Sequence, residues 1–154
     1  MNEEKNNYLE GKLHGPSRFF SEDGILLAES WFVNGNLEGE SCYYYASGQL
    51  YAKRRYREGK LEGSQEYFYE KGNVRTVMPY SAGRLHGEVR LYWENGQPKR
   101  IAYYKEGKRN GWDRIWDEKG VLIDEGQFLE GKAVGVHTRR FSNGVLREEV
   151  LHEN

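Results

Sequence analysis

The sequence predicts an all-β protein, an elongated single-layer stack of six 24-residue β-hairpin units forming a twisted, curved antiparallel sheet. Three observations carry that expectation. Glycine recurs in three unbroken columns at a step of 24, aromatic residues recur in two more, and each unit divides into two β-prone runs separated by glycine turns. A repeat with a period of roughly 20–50 residues outranks other patterns, because each unit must then bury its surface against its neighbours.

The glycine columns come first. One is Gly11, Gly35, Gly59, Gly83, Gly107 and Gly131; the second is Gly15, Gly39, Gly63, Gly87, Gly111 and Gly135; the third is Gly24, Gly48, Gly72, Gly96, Gly120 and Gly144. They use eighteen of the nineteen glycines, and glycine marks places where the backbone takes a conformation other residues resist. The aromatic columns are Tyr8, Phe32, Tyr56, Tyr80, Tyr104 and Phe128, and Phe20, Tyr44, Phe68, Tyr92 and Trp116, the latter ending at Arg140. A fixed ring in every unit implies that equivalent rings pack on one another along the stack. Aliphatic columns accompany them, one through Leu26, Leu50, Val74, Leu122 and Leu146, another through Leu13, Leu37, Leu61 and Leu85.

Within a unit, residues 40–45 read as a strand, Ala46-Ser47-Gly48 as a turn and residues 49–56 as a returning strand. Equivalent turns at Glu22-Asp23-Gly24, Glu94-Asn95-Gly96 and Ser142-Asn143-Gly144 carry the Asp-Gly and Asn-Gly pairs that favour hairpins. By alternation, positions 26, 28, 30 and 32 share one face. The links between units, such as Gly59-Lys60-Leu61-Glu62-Gly63, hold two glycines and one leucine that plugs the end of a layer. No window shows a helical apolar stripe. Six such hairpins at ~4.8 Å per strand would span about 58 Å. The organisation expected is a polar segment at 1–7, one repeat domain at 8–150 and a polar tail at 151–154. Its last unit reads as a cap, because Arg139 and Arg140 stand where earlier units mostly carry aromatic or aliphatic residues. The first hairpin enters at Tyr8 and is incomplete, which would leave an edge open to dimerisation or to a partner.

The run Tyr80-Ser81-Ala82-Gly83-Arg84-Leu85-His86-Gly87, followed by Leu91-Tyr92-Trp93-Glu94-Asn95-Gly96, resembles the MORN repeat, and most of all its bacterial variant class. The resemblance extends from residue 8 to about 146. It implies stacked hairpins and a binding role: protein contact, scaffolding near membranes, or antitoxin- and immunity-type neutralisation of a toxin. Arrays that precede a catalytic domain also occur in that family, but here the repeats consume the chain.

Composition narrows the function. The chain of 154 residues is 37% hydrophobic, 14% aromatic and 31% charged, with net charge −1. Its aromatic content argues against disorder, and the balanced charge argues against nucleic acid as a partner. A lone Cys42, no leader-like apolar run and no apolar stretch of membrane-spanning length point to a cytoplasmic protein. Catalytic chemistry finds no support. His14 and His86 share a column with Glu38, Glu62 and Asn110, as solvated turn residues would; His137 and His152 lack partners at ligand spacing. Cys42 falls in an outward polar column with Arg18, Glu66, Arg90, Arg114 and Thr138. The Gly-Lys pairs are not phosphate loops, since none leads into a helix. No enzyme activity, cofactor or metal is expected.

Binding is the remaining reading. Tyr43, Tyr45, Tyr67, Tyr69 and Trp93 fall on one face by alternation and would form either a recognition strip or covered core. Lys53, Arg54, Arg55 and Arg57 form one basic cluster, and Lys99, Arg100, Lys105, Lys108 and Arg109 another. The partner expected is a protein, in the most concrete case a toxin or effector held by the tyrosines with Arg54, Arg55 and Arg57. Membrane lipid at the basic clusters is the alternative.

Overall fold

The computed structural model describes residues 3–153, and no helix occurs among them. The all-β, hairpin-repeat class read from the glycines is the class observed. The chain divides into two compact units, residues up to 74 with 80–83, and residues 75–79 with 84 onward.

The first unit contains β1 (Glu3–Lys5), β2 (Tyr8–Leu9), β3 (Lys12–Leu13), β4 (Gly15–Phe20), β5 (Leu26–Val33), β6 (Asn36–Leu37), β7 (Gly39–Tyr44), β8 (Leu50–Arg57), β9 (Lys60–Leu61) and β10 (Gly63–Phe68). Its antiparallel sheet runs β1-β4-β5-β7-β8-β10, with β6 on β5, β9 on β8, and a separate β2-β3 ladder. The first hairpin is therefore not left incomplete: Glu3, Glu4 and Lys5 pair with Phe20, Phe19 and Arg18. Strand β11 (Val74–Ser81) is divided between the units.

The second unit adds β12 (Arg84–Leu85), β13 (Gly87–Tyr92), β14 (Pro98–Lys105), β15 (Lys108–Trp116), β16 (Leu122–Leu129), β17 (Lys132–Arg140) and β18 (Leu146–His152). Thr76 and Val77 pair with Leu91 and Arg90, and the order continues β13-β14-β15-β16-β17-β18.

Two kinds of turn alternate, and their chemistry differs from the sequence expectation. The hairpin turns at Asp23-Gly24, Asn95-Gly96 and Asn143-Gly144 use left-handed backbone only at glycine, the first closed by the Gly24 N–H donating to the Ser21 carbonyl. The turns with two consecutive left-handed residues lie in the links between units: Glu10-Gly11, Asn34-Gly35, Glu58-Gly59, Ala82-Gly83, Glu106-Gly107 and Glu130-Gly131. Positive φ at both central residues is the mirror-image turn whose twist matches a right-twisted strand pair. Forcing Glu or Ala into that region costs roughly 1–2 kcal/mol per residue.

The cost is offset by a ladder that ties each link turn to the preceding one. The N–H groups of Gly35, Gly59, Gly83, Gly107 and Gly131 donate to the carbonyls of Leu13, Leu37, Leu61, Leu85 and Arg109. In four of these six turns the strained residue beside the glycine is held by a side chain. Asn34 N–H donates to His14 Nδ1, Glu58 N–H to Glu38 Oε2 (2.7 Å), Ala82 N–H to Glu62 Oε2 (2.6 Å) and Glu106 N–H to His86 Nδ1. In the column that mixes His, Glu and Asn, His14, Glu38, Glu62 and His86 are thus turn residues at least partly open to solvent that also accept a hydrogen bond from the next link turn. That explains why chemically unlike residues interchange there.

Opposed residues share a face of the sheet, and neighbours along a strand alternate. The pairs Ser41↔Arg54 and Tyr43↔Ala52 place those four residues on one face of the first unit, while Glu40↔Arg55 and Cys42↔Lys53 lie on the other. The inner face, so defined, holds the fully buried side chains Ser41, Ala52 and Gln65; its counterpart in the second unit holds Val89, Ala102 and Asp113. The core is thus a line of small and polar residues at mid-strand, with half-buried rings laid over it.

Equivalent rings do not stack on one another as the columns suggested. Residues 24 apart lie two strands away, at ~9.6 Å, beyond the roughly 4.5–7 Å of ring contact. Contacts run instead between columns: Tyr45 meets Tyr51 edge to face at 5.1 Å, and Tyr51 meets Tyr67 at 6.1 Å. Tyr51 reaches the inner face through a bulge. Tyr43 opposes Ala52 and Tyr44 opposes Leu50, leaving Tyr51 unopposed. The same shift at Phe19↔Ala28 and Phe20↔Leu26 moves Leu26 off the face shared by positions 28, 30 and 32.

Candidate functional site

The inner face of the first unit gathers Tyr43, Tyr56 and Tyr67 around Arg54, and ring contacts run on from Tyr67 to Tyr51 and from Tyr51 to Tyr45. Tyr45 is anchored at its tip, its hydroxyl donating to the Phe68 carbonyl at 2.7 Å. Tyr67 is seated beside Gln65, whose amide is wholly buried. Gln65 accepts from the Arg55 N–H and donates to the Gly63 carbonyl at 2.9 Å, satisfying backbone groups where the Glu62–Gly63 bulge interrupts the ladder.

Arg54 occupies the centre of this group. Burial disfavours its charge, but Tyr56, Tyr67 and Tyr43 together favour it, and its pKa is raised. Tyr43 hydrogen-bonds the guanidinium, yet Nε is buried and has no partner. Among the described residues it is the one buried side-chain nitrogen or oxygen in that condition, and no carboxylate pairs with Arg54 there. Tyr56 is raised above 10.0, first by burial, against the lowering effect of Arg54.

Alternation divides the basic cluster predicted around this residue. Lys53 and Arg55 lie on the outer face, where Glu40 pairs with both (4.0 and 3.8 Å) and Glu66 approaches Arg55 at 3.7 Å. Arg57, two residues further on, shares their face and is exposed. Cys42 shares that face with Tyr44. Burial, then Glu40, pushes the thiol above 9.0, so it is held as the less reactive protonated form.

The second unit treats its inner-face arginines differently. Asp113, buried, receives Arg100 Nε at 2.9 Å and Nη2 at 2.5 Å, and Arg109 Nη1 at 3.2 Å. Arg109 also lies 3.9 Å over the Phe128 ring. The bond to Asp113 raises Arg100 against the opposing effect of burial. Further along, His137 hydrogen-bonds the Gln127 carbonyl at 2.9 Å and meets Phe128 and His152 edge to face. Gly126, the nineteenth glycine, makes room for it: a Cβ there would lie 2.3 Å from the imidazole. The second basic cluster is divided as well. Arg100 and Arg109 serve Asp113, and Lys99 lies 4.4 Å over the Trp93 ring. Trp93 itself donates from Nε1 to the Trp116 carbonyl.

Of the predicted site residues, Tyr43, Tyr45, Tyr67 and Arg54 come together on the inner face of the first unit. Arg55 and Arg57 do not join them; Trp93 belongs to the second unit; Tyr69 opens the turn at Gly72 through its carbonyl. The residues missed were Tyr51 and Tyr56, and the buried column Ser41, Gln65, Val89 and Asp113. Its step of 24 was visible, but its side chains share no chemistry.

The family model for the MORN repeat variant matches residues 37–58, 61–82 and 85–106. Three consecutive repeats of this chain are thus similar to the MORN repeat variant, each match opening on the leucine after a link turn. No curated protein matches the chain. Among solved structures, a protein of unknown function from Bacteroides fragilis NCTC 9343 aligns over 99% of this chain and 92% of its own at 13% identity, with a TM-score of 0.15. A score that low carries no structural argument.

Proposed function

We propose that this chain is a non-catalytic repeat protein that binds another protein through the inner face of its first unit, acting in the cytoplasm of a bacterium as an antitoxin- or immunity-type neutraliser. The observation that supports it is a run of tyrosines, Tyr45, Tyr51 and Tyr67, continuing to Tyr43 and Tyr56 at an arginine that no carboxylate among the described residues neutralises. Tyrosine and arginine dominate binding hot spots, because they bring area and directional polar groups with few rotatable bonds. Repeats that fix such residues on regular strands present them already ordered, which lowers the entropy lost on binding.

Membrane lipid is the weaker reading. A lipid surface needs several cations on one side, and of Lys53, Arg55 and Arg57 on the outer face the first two are paired with Glu40, while Arg54 lies on the other face.

A photo-crosslinking residue at position 45 or 67 should trap a single protein in cells of the source organism, whereas one at Lys53 on the outer face should not. Co-expression with that protein should relieve its toxicity. Equal trapping from both faces would defeat the face assignment, and a captured partner that is harmless when expressed alone would defeat the neutralising role.

A further inference from the structure

We infer that Arg54, with the hydroxyls of Tyr43, Tyr56 and Tyr67, forms a carboxylate-binding site that receives one acidic group of the partner protein. The inference rests on the binding role just proposed and names the chemistry of the partner's central contact.

Three observations converge on it. The first is the orphaned Nε: a half-buried guanidinium with a missing hydrogen bond carries a desolvation penalty that nothing in the first unit relieves. The second is the surroundings. Burial disfavours the charge of Arg54, while three tyrosines favour it, and the polar side chains nearest it in the ladder, Ser41 and Gln65, are uncharged. Hydroxyls can donate to an anion as readily as they accept from the guanidinium. A carboxylate set between them would meet donors on both sides.

The third is the contrast with the second unit. There the buried mid-strand position is Asp113, and its carboxylate takes Arg100 and Arg109. One repeat step is 24 residues, so the positions equivalent to Asp113 in the first unit are Ser41 and Gln65. Ser41 lies directly opposite Arg54, fully buried and without charge. Arg100 stands at the position of Ala52 rather than of Arg54, so the arginines are not equivalent; still, the second unit places an acid in this column at Asp113, and the first unit places none at Ser41 or Gln65.

The charge count favours a carboxylate over a phosphate. Lys53 and Arg55 stand on the other face, committed to Glu40. One guanidinium matches a monoanion and pairs with its two oxygens in a planar fork; a dianionic phosphate is ordinarily met by several cations.

The test is an NMR titration of the full chain, following the arginine Hε–Nε resonances, with N-acetylglutamate α-amide, N-acetylalanine, inorganic phosphate and the neutral N-acetylglutamine α-amide as probes. Either carboxylate should shift Arg54 saturably in the millimolar range, and the tighter of the two tells whether a side chain or a chain terminus is received. Arg54→Gln should abolish the response. Ser41→Asp, which provides an internal acid, should weaken it at least tenfold; a folded spectrum that keeps wild-type affinity would overturn the site. A response matched by the neutral amide, no saturable response, or phosphate binding tenfold tighter than carboxylate would each overturn it as well. Loss of the titration with crosslinking at Tyr45 intact would remove this site and leave the binding face standing. The reverse result would keep the site and remove the proposed role.

Discussion

The two inner faces solve one problem in opposite ways. In both units, an arginine stands among half-buried rings on the face that holds the buried line of residues. Asp113 neutralises Arg100 with two hydrogen bonds and draws in Arg109. Arg54 has three tyrosines and an unsatisfied Nε. The second arrangement is less favourable for the isolated chain, since a partly desolvated charge without a counter-ion is a liability for folding. A tight internal network marks a region built for stability, and the incomplete one is where the proposed partner would bind.

Removing Asp113 should have the largest effect. Asp113→Ala leaves two arginines facing each other at a buried position, and a loss of about 2–3 kcal/mol is expected in urea unfolding, the lower part of the range for a broken buried pair because both guanidiniums are partly solvated. A loss under roughly 0.5 kcal/mol would mean that water does the work of Asp113. Gly126→Ala strikes the same region sterically. The imidazole of His137 must leave its place, with an expected loss of about 1–2 kcal/mol and shifts in the ring signals of Phe128 and His152.

Arg54→Leu sharpens the comparison from the other side. It deletes the uncompensated charge while keeping apolar volume, so stability should change by less than about 1 kcal/mol, in either direction. A loss comparable to that of Asp113→Ala would show Arg54 to be structural.

The smallest effect is pH dependence. Tyr44 and Tyr56 are raised above their ordinary 10.0, in each case first by burial. A folded pKa above the unfolded one means that the native state holds its proton longer. The contribution of these groups is fully present below pH 10.0 and is lost as pH rises through the folded values. Urea midpoints should therefore fall through that alkaline range, and Tyr56→Phe should flatten the fall. On the acid side, Tyr103 and then Arg90 hydrogen-bond Glu88 and hold it below 4.5 against burial, so its small contribution fades as pH drops through the lower folded value.

Much of this was legible in the sequence, and the parts that were not have physical reasons. The glycine columns located both turns of every repeat, because left-handed backbone excludes most side chains. They did not say which turn holds two left-handed residues. Glu58 and Ala82 look unsuited to that role and are made tolerable by a hydrogen bond from their N–H to Glu38 and Glu62, twenty residues away. Tyr43, Tyr45 and Tyr67 were found by alternation. Tyr51 was not, since one bulge residue reverses the parity of everything beyond it. Arg54 and Arg55 read as one cluster because adjacency in the chain suggests adjacency in space, while in a strand it guarantees opposite faces.

The sequence by itself determined the period, the hairpin class and the positions of the turns, all consequences of local backbone sterics repeated at a fixed interval. Only the tertiary structure decided which arginine is neutralised. That outcome depends on which inner-face side chains the register brings together: Asp113, opposite Ala102, reaches Arg100 diagonally, while Arg54 faces the uncharged Ser41.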